Sequence, residues 1–456
     1  MKKRSAIILA AGKGTRMKSQ LYKVLHPIAG LSMVEHVFRA VKDSGVSKVV
    51  TVTGHGAQAV QEVLQDRSDY VYQEEQLGTG HAVQQAESVL KDEEGHTLVI
   101  CGDTPLLTAQ TLEELFNHHE ATNAKATILT AKVDQPTGYG RVVRNDKGEV
   151  AYIVEEKDAS PEEKAVQEIN TGTYVFDNQM LFEGLSQIDN NNAQGEYYLT
   201  DVIEIITMQR ETVSAYILKD EKEALGVNDR VALSTATSRM RQRINQHHML
   251  NGVTMIDPSN VYIDADVVIE SDVTLEPSTV LKGQTVIRSG SIIGSHSEII
   301  NSTIGSNVHV RQSVINESTV DEGVTVGPFA HLRPNTHLKE NVHVGNFVEI
   351  KNSMIGEKTR VGHLSYLGDV DMGSDVNIGA GTVFVNYDGK NKFRSQVGDR
   401  SFIGCDSQII SPITIESETV IAAGTTVTQD VPQGSLAISR IEQKNIENYW
   451  KKFNNK

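Results

Sequence analysis

An aliphatic residue recurs at every sixth position through the second half of this 456-residue chain, and this period constrains the fold more than any other feature. A period of six matches neither the 2.0 of a strand nor the 3.6 of a helix. It is the signature of hexapeptide repeats that stack into a parallel β-helix, in which three hexapeptides make one coil. We therefore predict that residues 251–440 form about ten such coils. The predicted inward positions are Val261, Val267, Val273, Val280, Val286, Ile292, Val320, Val326, Leu332, Leu338, Val344, Ile350, Val397, Ile403, Ile409, Ile415, Ile421 and Val427, with Ile355, Val361 and Leu367 after a one-residue slip.

The repeat breaks once strongly, after Thr382. The stretch FVNYDGKNKFRSQ is polar and contains glycine, and Val397 then restores the period. We predict an excursion loop here. The tail IENYWKKFNNK leaves the repeat and carries the only tryptophan.

Short apolar runs alternate with helical patterns over residues 1–228. SAIILAA, KVVTVTG, YVYQ, TLVICGD and AKATILTAKV are typical of strands, and residues 33–43, 57–64, 81–90 and 111–119 of helices. This alternation predicts βαβ units in an α/β, doubly wound, mostly parallel sheet. Residues 229–250 contain no Gly or Pro and predict one helix of about 33 Å that links this domain to residues 251–456.

Charge and composition exclude several classes of protein. The net charge of −16 argues against a nucleic-acid-binding surface, and no apolar run is long enough to span a membrane. Cys101 and Cys405 lie in different halves and give neither a disulfide framework nor a zinc-site spacing. A cytoplasmic enzyme is the expectation.

A glycine loop follows the first predicted strand. LAAGKGTRM (residues 9–17) lacks the ending of a Walker A loop and the third glycine of a dinucleotide fingerprint. An ordinary tight turn remains an alternative. However, Lys13, Arg16 and Lys23 are close in sequence, and backbone N–H groups together with cations suit a triphosphate.

Asp103 in CGDTPL comes just after an apolar strand, where ligands bind in open α/β sheets. A carboxylate there is a natural Mg²⁺ ligand. The alternative is a turn-forming aspartate before Thr104 and Pro105.

Two basic residues of the repeat are separated by 18 positions, which is one coil. Arg333 and Lys351 each follow an inward aliphatic residue, so they should stack about 4.8 Å apart on one outer face. Like charges so placed repel one another, and a bound phosphate would stabilise them. Two independently solvated side chains are the alternative.

His363 lies two positions after Val361 and is predicted to point outward, where a neutral imidazole can accept a proton. His309, His337 and His343 are also outward by register. The period alone therefore does not select the base.

A series of motifs occurs in order along the chain: LAAGKGTRM, Lys23-Val-Leu, QLGTGHA, GDTPL, GYGR, EEKD, NTG, GEYYLTD and VND, followed by VGHLSYLGD in the repeat. Together they resemble the sugar-1-phosphate nucleotidyltransferases. Within that family they are similar to bifunctional enzymes that join N-acetylglucosamine-1-phosphate uridylyltransferase to glucosamine-1-phosphate acetyltransferase. The resemblance covers essentially the whole chain.

The resemblance implies roles for individual residues. It implies that the nucleotide binds Leu9, Ala10, Ala11, Gly12, Lys23, Gln73, Gly78 and Thr79, that N-acetylglucosamine binds Gly140, Glu155 and Asn170, and that Mg²⁺ binds Asp103 and Asn228. It implies His363 as the base of acetyl transfer, with the sugar phosphate on Arg333, Lys351, Tyr366 and Asn377, and acetyl-CoA on Ala380, Asn386, Tyr387, Cys405, Ala423 and Arg440.

Three positions depart from the family pattern. Tyr22 stands where proline is usual, Cys101 where an aromatic residue is frequent, and Cys405 where serine is common. None of these changes removes a proposed functional group.

The implied function is synthesis of UDP-N-acetylglucosamine for cell-wall peptidoglycan and related precursors. The co-substrates are UTP and acetyl-CoA, the metal is Mg²⁺ with Mn²⁺ or Co²⁺ as substitutes, and a left-handed β-helix forms a homotrimer. Two rivals stay open: a monofunctional nucleotidyltransferase with a regulatory β-helix, and a non-enzymatic scaffold. The length of the repeat and the His363 motif count against the first, and the joint presence of Lys23, Asp103 and Asn228 counts against the second.

Overall fold

The computed structural model of the chain describes residues 2–454. The chain divides into two compact units, and the division falls between Met240 and Arg241. Within residues 2–454, none of the helices has the length and apolarity needed to cross a membrane.

The first unit is built on a nine-stranded sheet. Its strands Arg4–Ala10, Lys48–Thr53, Asp69–Tyr72 and His96–Cys101 are parallel, as predicted, whereas Glu168–Asp177 runs antiparallel to His96–Cys101. The order along the sheet is Val213–Ile217, Ala126–Lys132, Glu168–Asp177, His96–Cys101, Arg4–Ala10, Lys48–Thr53 and Asp69–Tyr72, with Arg141–Arg144 and Val150–Val154 as an antiparallel hairpin beside Glu168–Asp177. The sheet is therefore mixed and Rossmann-like.

Helices cover both faces of this sheet, and two apolar clusters fill the space on its two sides. Side chains of Ser32, Thr108 and Asp177 cap three helices, and Ser160 and Glu163 form a capping box. The helix predicted over residues 81–90 is wrong as one element, because the chain bends at Gln85 and Ala86 and forms two short helices. The α-helices are Met33–Asp43, Ala57–Leu64, Thr79–Gln84, Glu87–Leu90, Ala109–Ala121, Pro161–Lys164, Asn178–Leu185 and Asp201–Met208; the 3-10 helices are Thr15–Met17, Lys23–Leu25, Gln65–Arg67 and Glu221–Ala224; and Pro27–Ile28 pairs with Leu31–Ser32.

The predicted long helix is present as Arg230–Leu250. Pro258–Asn260 forms a 3-10 turn soon afterwards, and Tyr449–Phe453 is a short helix in the tail.

The second unit is a left-handed parallel β-helix with three faces. The first face contains Thr254–Met255, Thr274–Leu275, Ile292–Ile293, His309–Val310, Thr325–Val326, His343–Asn346, Arg360–His363, Asn377–Ile378, Phe402–Ile403, Val420–Ile421 and Leu436–Ala437. The second contains Tyr262–Ile263, Val280–Lys282, Glu298–Ile300, Val314–Asn316, His331–Leu332, Glu349–Lys351, Tyr366–Gly368, Val383–Val385, Gln408–Ile410 and Thr426–Val427. The third contains Val268–Ile269, Val286–Ile287, Thr303–Ile304, Thr319–Val320, His337–Leu338, Met354–Ile355, Val370–Met372, Ser395–Val397 and Thr414–Ile415.

The register between coils follows the predicted period. Leu332 pairs with Ile350, 18 residues on, whereas Leu338 pairs with Ile355, 17 residues on, which is the predicted slip. One continuous apolar cluster runs through the middle of the column.

Three of the predicted inward residues are wrong by one position. Val280, Val286 and Ile292 point outward, and Ile292 is 38% exposed, whereas the following Leu281, Ile287 and Ile293 fill the core. Each of these strands has two adjacent aliphatic residues, and side chains alternate between the faces of a strand, so only one of the two can be buried.

The excursion loop begins later than predicted. Phe384 is fully buried, because it keeps the period of six from Ile378, and it pairs with Ile409, 25 residues on. A coil normally takes about 18 residues. We call residues 386–394 the excursion loop.

Two candidate active sites

A cleft of about 250 Å³ opens in the first unit beside the carboxyl ends of two central strands. Nine of the sequence-predicted residues line it: Leu9, Ala10, Ala11, Gly12, Lys23, Gln73, Gly78, Thr79 and Asp103. Val24, Gln76, Ala82, Cys101 and Glu196 complete the lining. Of these five, only Cys101 was singled out from the sequence.

Strand pairing explains why these distant segments meet. Leu9 pairs with Cys101 in the parallel ladder, and the Gly102 N–H donates to the Leu9 carbonyl at 2.9 Å. The Gln73 N–H donates to the Thr53 carbonyl at 2.8 Å, which brings a third segment to the same edge. In a parallel sheet the carboxyl ends of strands share one edge, and the glycine loop lies there.

Cations and oxygen donors meet at one side of the cleft. Lys23 forms an ion pair with Asp103 and donates to Asn228 Oδ1 at 3.2 Å, and Arg16 Nη2 donates to the same oxygen at 3.0 Å. Asn228 reaches this place because the Val227 N–H donates to the Asp103 carbonyl at 2.9 Å. Lys13 is exposed and is not part of the cleft lining.

The donor set fits a hard divalent cation. Asp103 supplies a carboxylate and Asn228 an amide oxygen, which are the ligands that Mg²⁺ prefers together with waters and substrate phosphates. Within residues 2–454 there is no group of three or more His, Cys, Asp and Glu side chains that could hold a metal alone. A site at Asp103 and Asn228 would therefore depend on ligands from water and the substrate.

Gly140, Glu155 and Asn170 form a second predicted group, outside the lining of the cleft. The Asn170 N–H donates to the Gly140 carbonyl at 2.9 Å, and a Cβ on Gly140 would lie 3.4 Å from both Glu155 carboxylate oxygens. Burial, followed by the charges of Asp158 and Asp201, raises the pKa of Glu155. The strand register shifts between Asn170 and Tyr174, and such a bulge re-aims side chains near a site.

Sequence reasoning missed two residues around these groups. Asn170 Nδ2 donates to the Tyr174 hydroxyl at 2.7 Å inside the unit. Arg230 donates through Nε to the Met17 carbonyl at 3.2 Å and contacts His26 Nδ1 at 3.3 Å. No motif signalled either residue, because both act through folded contacts with residues distant in sequence.

Four predicted residues of the second unit form a vertical column at the corner between its first and second faces. The pairing of Val361 with Ile378, Ile378 with Ile403, and Ile403 with Ile421 extends by two positions to the column His363, Ala380, Cys405 and Ala423. Adjacent members are on neighbouring coils, about 4.8 Å apart. His363 is exposed, as predicted, and its Nδ1 bonds Asn346 Oδ1 at 2.7 Å on the coil before it.

Small residues leave open space along this column. Above His363 the side chains are no larger than a thiol, and Cys405 is exposed. Arg440 Nη2 donates to the Ala423 carbonyl at 3.0 Å and so lies at its far end. An extended ligand could lie along such a groove.

A cluster of three cations lies on the second face. Arg333 and Lys351 stack on adjacent coils, since the Arg333 N–H donates to the Ile350 carbonyl at 2.8 Å. Lys392 of the excursion loop, which the sequence analysis missed, joins them. A hydrogen bond with Lys392, then burial and the Lys392 charge, lower the pKa of Lys351, which indicates unrelieved repulsion.

The other predicted residues are distributed around this cluster. Arg333 Nη1 donates to Glu349 at 2.7 Å, so it is not an isolated solvated cation. Tyr366 follows Glu349 in the second-face ladder, and its hydroxyl lies over Gly368. Asn377 lies on the first face, one coil after Arg360. Asn386 and Tyr387 begin the excursion loop.

Comparison with known proteins adds a family assignment. Residues 5–230 match the Nucleotidyl transferase family. The bifunctional protein GlmU of Bacillus subtilis (strain 168) is 54% identical over 456 residues, which is 100% of both chains. GlmU of Listeria monocytogenes serotype 4b (strain F2365) is 52% identical over 100% of this chain and 99% of its own, and that of Geobacillus sp. (strain WCH70) is 52% identical over 98% of each. The chain therefore belongs to the family of bifunctional GlmU proteins.

Proposed function

We propose that the chain makes UDP-N-acetylglucosamine from glucosamine 1-phosphate in two reactions. Residues 251–456 transfer acetyl from acetyl-CoA to the sugar amine, and residues 1–228 then transfer uridylyl from UTP and release pyrophosphate. The observation that carries this proposal is the presence, in one chain, of the Lys23, Asp103 and Asn228 group in a nucleotide-sized cleft and of His363 near a three-cation cluster. A monofunctional enzyme or a scaffold would need only one of these or neither.

Uridylyl transfer in the first unit requires positioning and charge neutralisation. The phosphate oxygen of N-acetylglucosamine 1-phosphate attacks the α-phosphorus of UTP, and it is already anionic, so no general base is needed. Lys23 and Arg16 would contact the phosphates, whereas Leu9–Gly12, Gln73, Gly78 and Thr79 would surround the nucleoside. When bound by Asp103 and Asn228, Mg²⁺ supplies further neutralisation of the phosphate charge.

Gly140, Glu155 and Asn170 would bind the sugar. Their mutual contacts support this assignment, because the absence of a side chain at Gly140 leaves the Glu155 carboxylate free of a Cβ only 3.4 Å away. A buried carboxylate without a cation is costly unless hydrogen-bond donors satisfy it. Sugar hydroxyls are such donors.

Acetyl transfer needs a base, because an ammonium cannot attack a thioester. The Asn346 amide oxygen beside His363 Nδ1 favours a proton on Nδ1 and leaves Nε2 as the acceptor. His363 would then remove a proton from the sugar amine while that amine attacks the acetyl carbonyl. No acyl-enzyme is required, so Cys405 need not act as a nucleophile.

The groups around His363 suit the two substrates. Arg333, Lys351 and Lys392 would hold the sugar phosphate, and a bound dianion would relieve their repulsion. Tyr366 and Asn377 would contact the same sugar. The column Ala380, Cys405 and Ala423, with Asn386, Tyr387 and Arg440, would hold acetyl-CoA.

A homotrimer in the cytoplasm completes the proposal. Phe329, Phe347 and Leu364 are exposed at 50%, 55% and 61% on consecutive coils beside the His363 column, and all three have left-handed backbone conformations with φ of 59°, 56° and 49°. Bulky residues are rare in that region of φ, and large exposed apolar side chains favour an interface. Burial against further copies of the chain would compensate for both. UTP and acetyl-CoA are cytoplasmic metabolites.

Two single variants, each assayed for both half-reactions, test the proposal. Asp103→Ala should abolish uridylyl transfer at ordinary Mg²⁺ and keep acetyl transfer, because it removes the only carboxylate proposed for the metal. His363→Ala should lower acetyl transfer by about 10²–10⁴-fold and keep uridylyl transfer. Wild-type uridylyl transfer by Asp103→Ala, or wild-type acetyl transfer by His363→Ala, would refute the corresponding assignment.

A further inference from the structure

Asp369 lies directly beneath the excursion loop. It is only 6% exposed, although the loop above it is mostly exposed, and its φ of 54° places it at a corner of the β-helix. The pairing of Lys351 with Gly368 and of Tyr366 with Val383 puts Asn352, Asp369 and Asn386 at one position of three successive coils. Asp369 is therefore the middle member of a ladder of polar side chains.

The Asp369 carboxylate binds both neighbours in this ladder. One oxygen accepts a hydrogen bond from Asn352 Nδ2, and the other accepts one from Asn386 Nδ2, at the first residue of the excursion loop. Buried carboxylate oxygens are stable only when donors satisfy them, and here two side-chain amides do so.

The Asp369 backbone binds the other end of the same loop. Its carbonyl accepts from the Ser395 N–H at 3.0 Å, just after the loop ends, and its own N–H donates to the Lys351 carbonyl at 3.0 Å. One residue thus connects the first residue of the loop, the strand that follows the loop and the strand that carries Lys351. The ion pair of Arg394 with Asp371 is a second anchor near the loop end.

The charge of Asp369 also acts on the cation cluster. It raises the pKa of Lys351, whereas Lys392 and Arg333 lower it. The carboxylate therefore offsets part of the repulsion that Lys392 meets when the loop brings it to Lys351.

We infer that Asp369 is a positioning residue for acetyl transfer: by fixing both ends of the excursion loop it sets Asn386, Tyr387 and Lys392 over the site. This inference rests on the proposed acetyltransferase function. Asp369 itself need not touch either substrate.

The test compares Asp369→Ala and Asp369→Asn in the full chain, with Asp375→Ala as control. Asp375 has the same left-handed backbone, with φ of 56°, but it is exposed and lies at another corner. Asp369→Ala should lower kcat/KM for acetyl-CoA by about 10- to 100-fold, through both a higher KM and a lower kcat, because the bound groups lose their alignment. Trypsin should cleave at Lys390 and Lys392 severalfold faster, and uridylyl transfer should stay within about twofold.

The asparagine variant separates positioning from general stability. Asp369→Asn keeps the left-handed backbone and one acceptor oxygen but lacks the second, so its kinetics and loop cleavage should fall between those of the wild type and Asp369→Ala. Asp375→Ala should match the wild type in every assay. These readouts follow the loop, whereas a global loss of structure in the second unit would also expose sites outside residues 386–394 to trypsin.

Wild-type acetyl-transfer kinetics in Asp369→Ala would overturn the inference. If that variant does not fold, the asparagine variant decides, and wild-type kinetics together with wild-type loop cleavage would reject the role. His363→Ala is assayed in parallel. Acetyl transfer retained in His363→Ala refutes the proposed base, whereas retention in Asp369→Ala alone refutes only the positioning role.

Discussion

The two cysteines have opposite environments, although each lies at one of the candidate sites. Cys101 lines the nucleotide cleft, where burial and the Asp103 charge raise the pKa of its thiol to about 12. Cys405 is exposed on the His363 column. Because the thiolate is the reactive species, Cys101 should be inert at neutral pH.

Iodoacetamide at pH 8 should therefore modify Cys405 well before Cys101. Carboxamidomethylation would fill the column and remove acetyl transfer while uridylyl transfer continues. Mass spectrometry of the two cysteine peptides, with both activities measured over time, checks this expectation. Coenzyme A should protect Cys405.

Cys405→Ser is the matched control, and it should keep acetyl transfer and resist inactivation. A Cys405→Ser enzyme without acetyl transfer would favour a covalent route through this thiol instead. Faster labelling of Cys101 than of Cys405 would contradict the assigned environments.

At this scale the sequence predicted side chains that lie in a regular register and missed those that do not. The period was enough to stack Arg333 on Lys351 and to point His363 outward. Lys392 belongs to an excursion with no period, so its approach to Lys351 could not be read from spacing. The place of Asn228 likewise depends on a backbone hydrogen bond between Val227 and Asp103.

A buried pair of histidines connects one strand and one helix of the first unit. His119, on Ala109–Ala121, contacts His96, on His96–Cys101, at 3.1 Å and Thr127 at 2.8 Å. Burial, followed by the neighbouring His96, lowers the pKa of His119 to about 3, and burial lowers that of His96 as well. Both rings are therefore neutral in the folded unit at neutral pH.

Acidification should destabilise this unit through His119. Its pKa is near 6.5 in the unfolded chain and about 3 in the folded one, so its contribution to stability is complete above pH 6.5 and is lost as the pH falls toward 3. At pH 5 the loss from this one group is about 2 kcal/mol. Hydrogen exchange in strand His96–Cys101, corrected for intrinsic rates, should show this loss between pH 7 and pH 5.

His119→Asn should weaken this pH dependence, since it removes one titrating ring but keeps an amide for Thr127. His118→Asn changes the preceding, less buried residue and should leave the dependence as in the wild type. Equal pH dependence in His119→Asn and the wild type would contradict the assignment.

Elements with a clear period or cap were predictable, and those that depend on tertiary contacts were not. Helices Met33–Asp43 and Ala57–Leu64 have the predicted bounds. The bend at Gln85 and Ala86 has no proline or glycine to signal it. The one-position error at Val280 arose because two adjacent aliphatic residues compete for one buried position.

On the scale of the whole molecule, the exposed column Phe329, Phe347 and Leu364 predicts self-association. The Phe329 and Phe347 rings stack with centroids 5.3 Å apart, so together they present one continuous apolar surface. A left-handed conformation costs such residues roughly 1–2 kcal/mol each, and asparagine tolerates it better. The double variant Phe329→Asn, Phe347→Asn should therefore keep the coil and lose the interface.

Light scattering coupled to gel filtration should give a trimer mass for the wild type and a smaller mass for the double variant. Acetyl transfer should fall with the mass, and uridylyl transfer per chain should not. Val268→Thr, an exposed position on the third face, is the control and should stay trimeric. A monomeric wild type, or a double variant with unchanged mass, would refute the proposed assembly.

The regular step of the lower coils has a consequence for the length of the column. Ile263, Ile269 and Leu275 each pair with a residue 18 positions on, and the residues proposed for acetyl transfer all lie beyond residue 330. Excising residues 264–281 would join equivalent points of two turns and leave every later register unchanged. The lower part of the prism is therefore modular: evolution or an engineer can shorten or extend it by whole turns, whereas removal of a partial turn would rotate all the chemistry above it out of alignment.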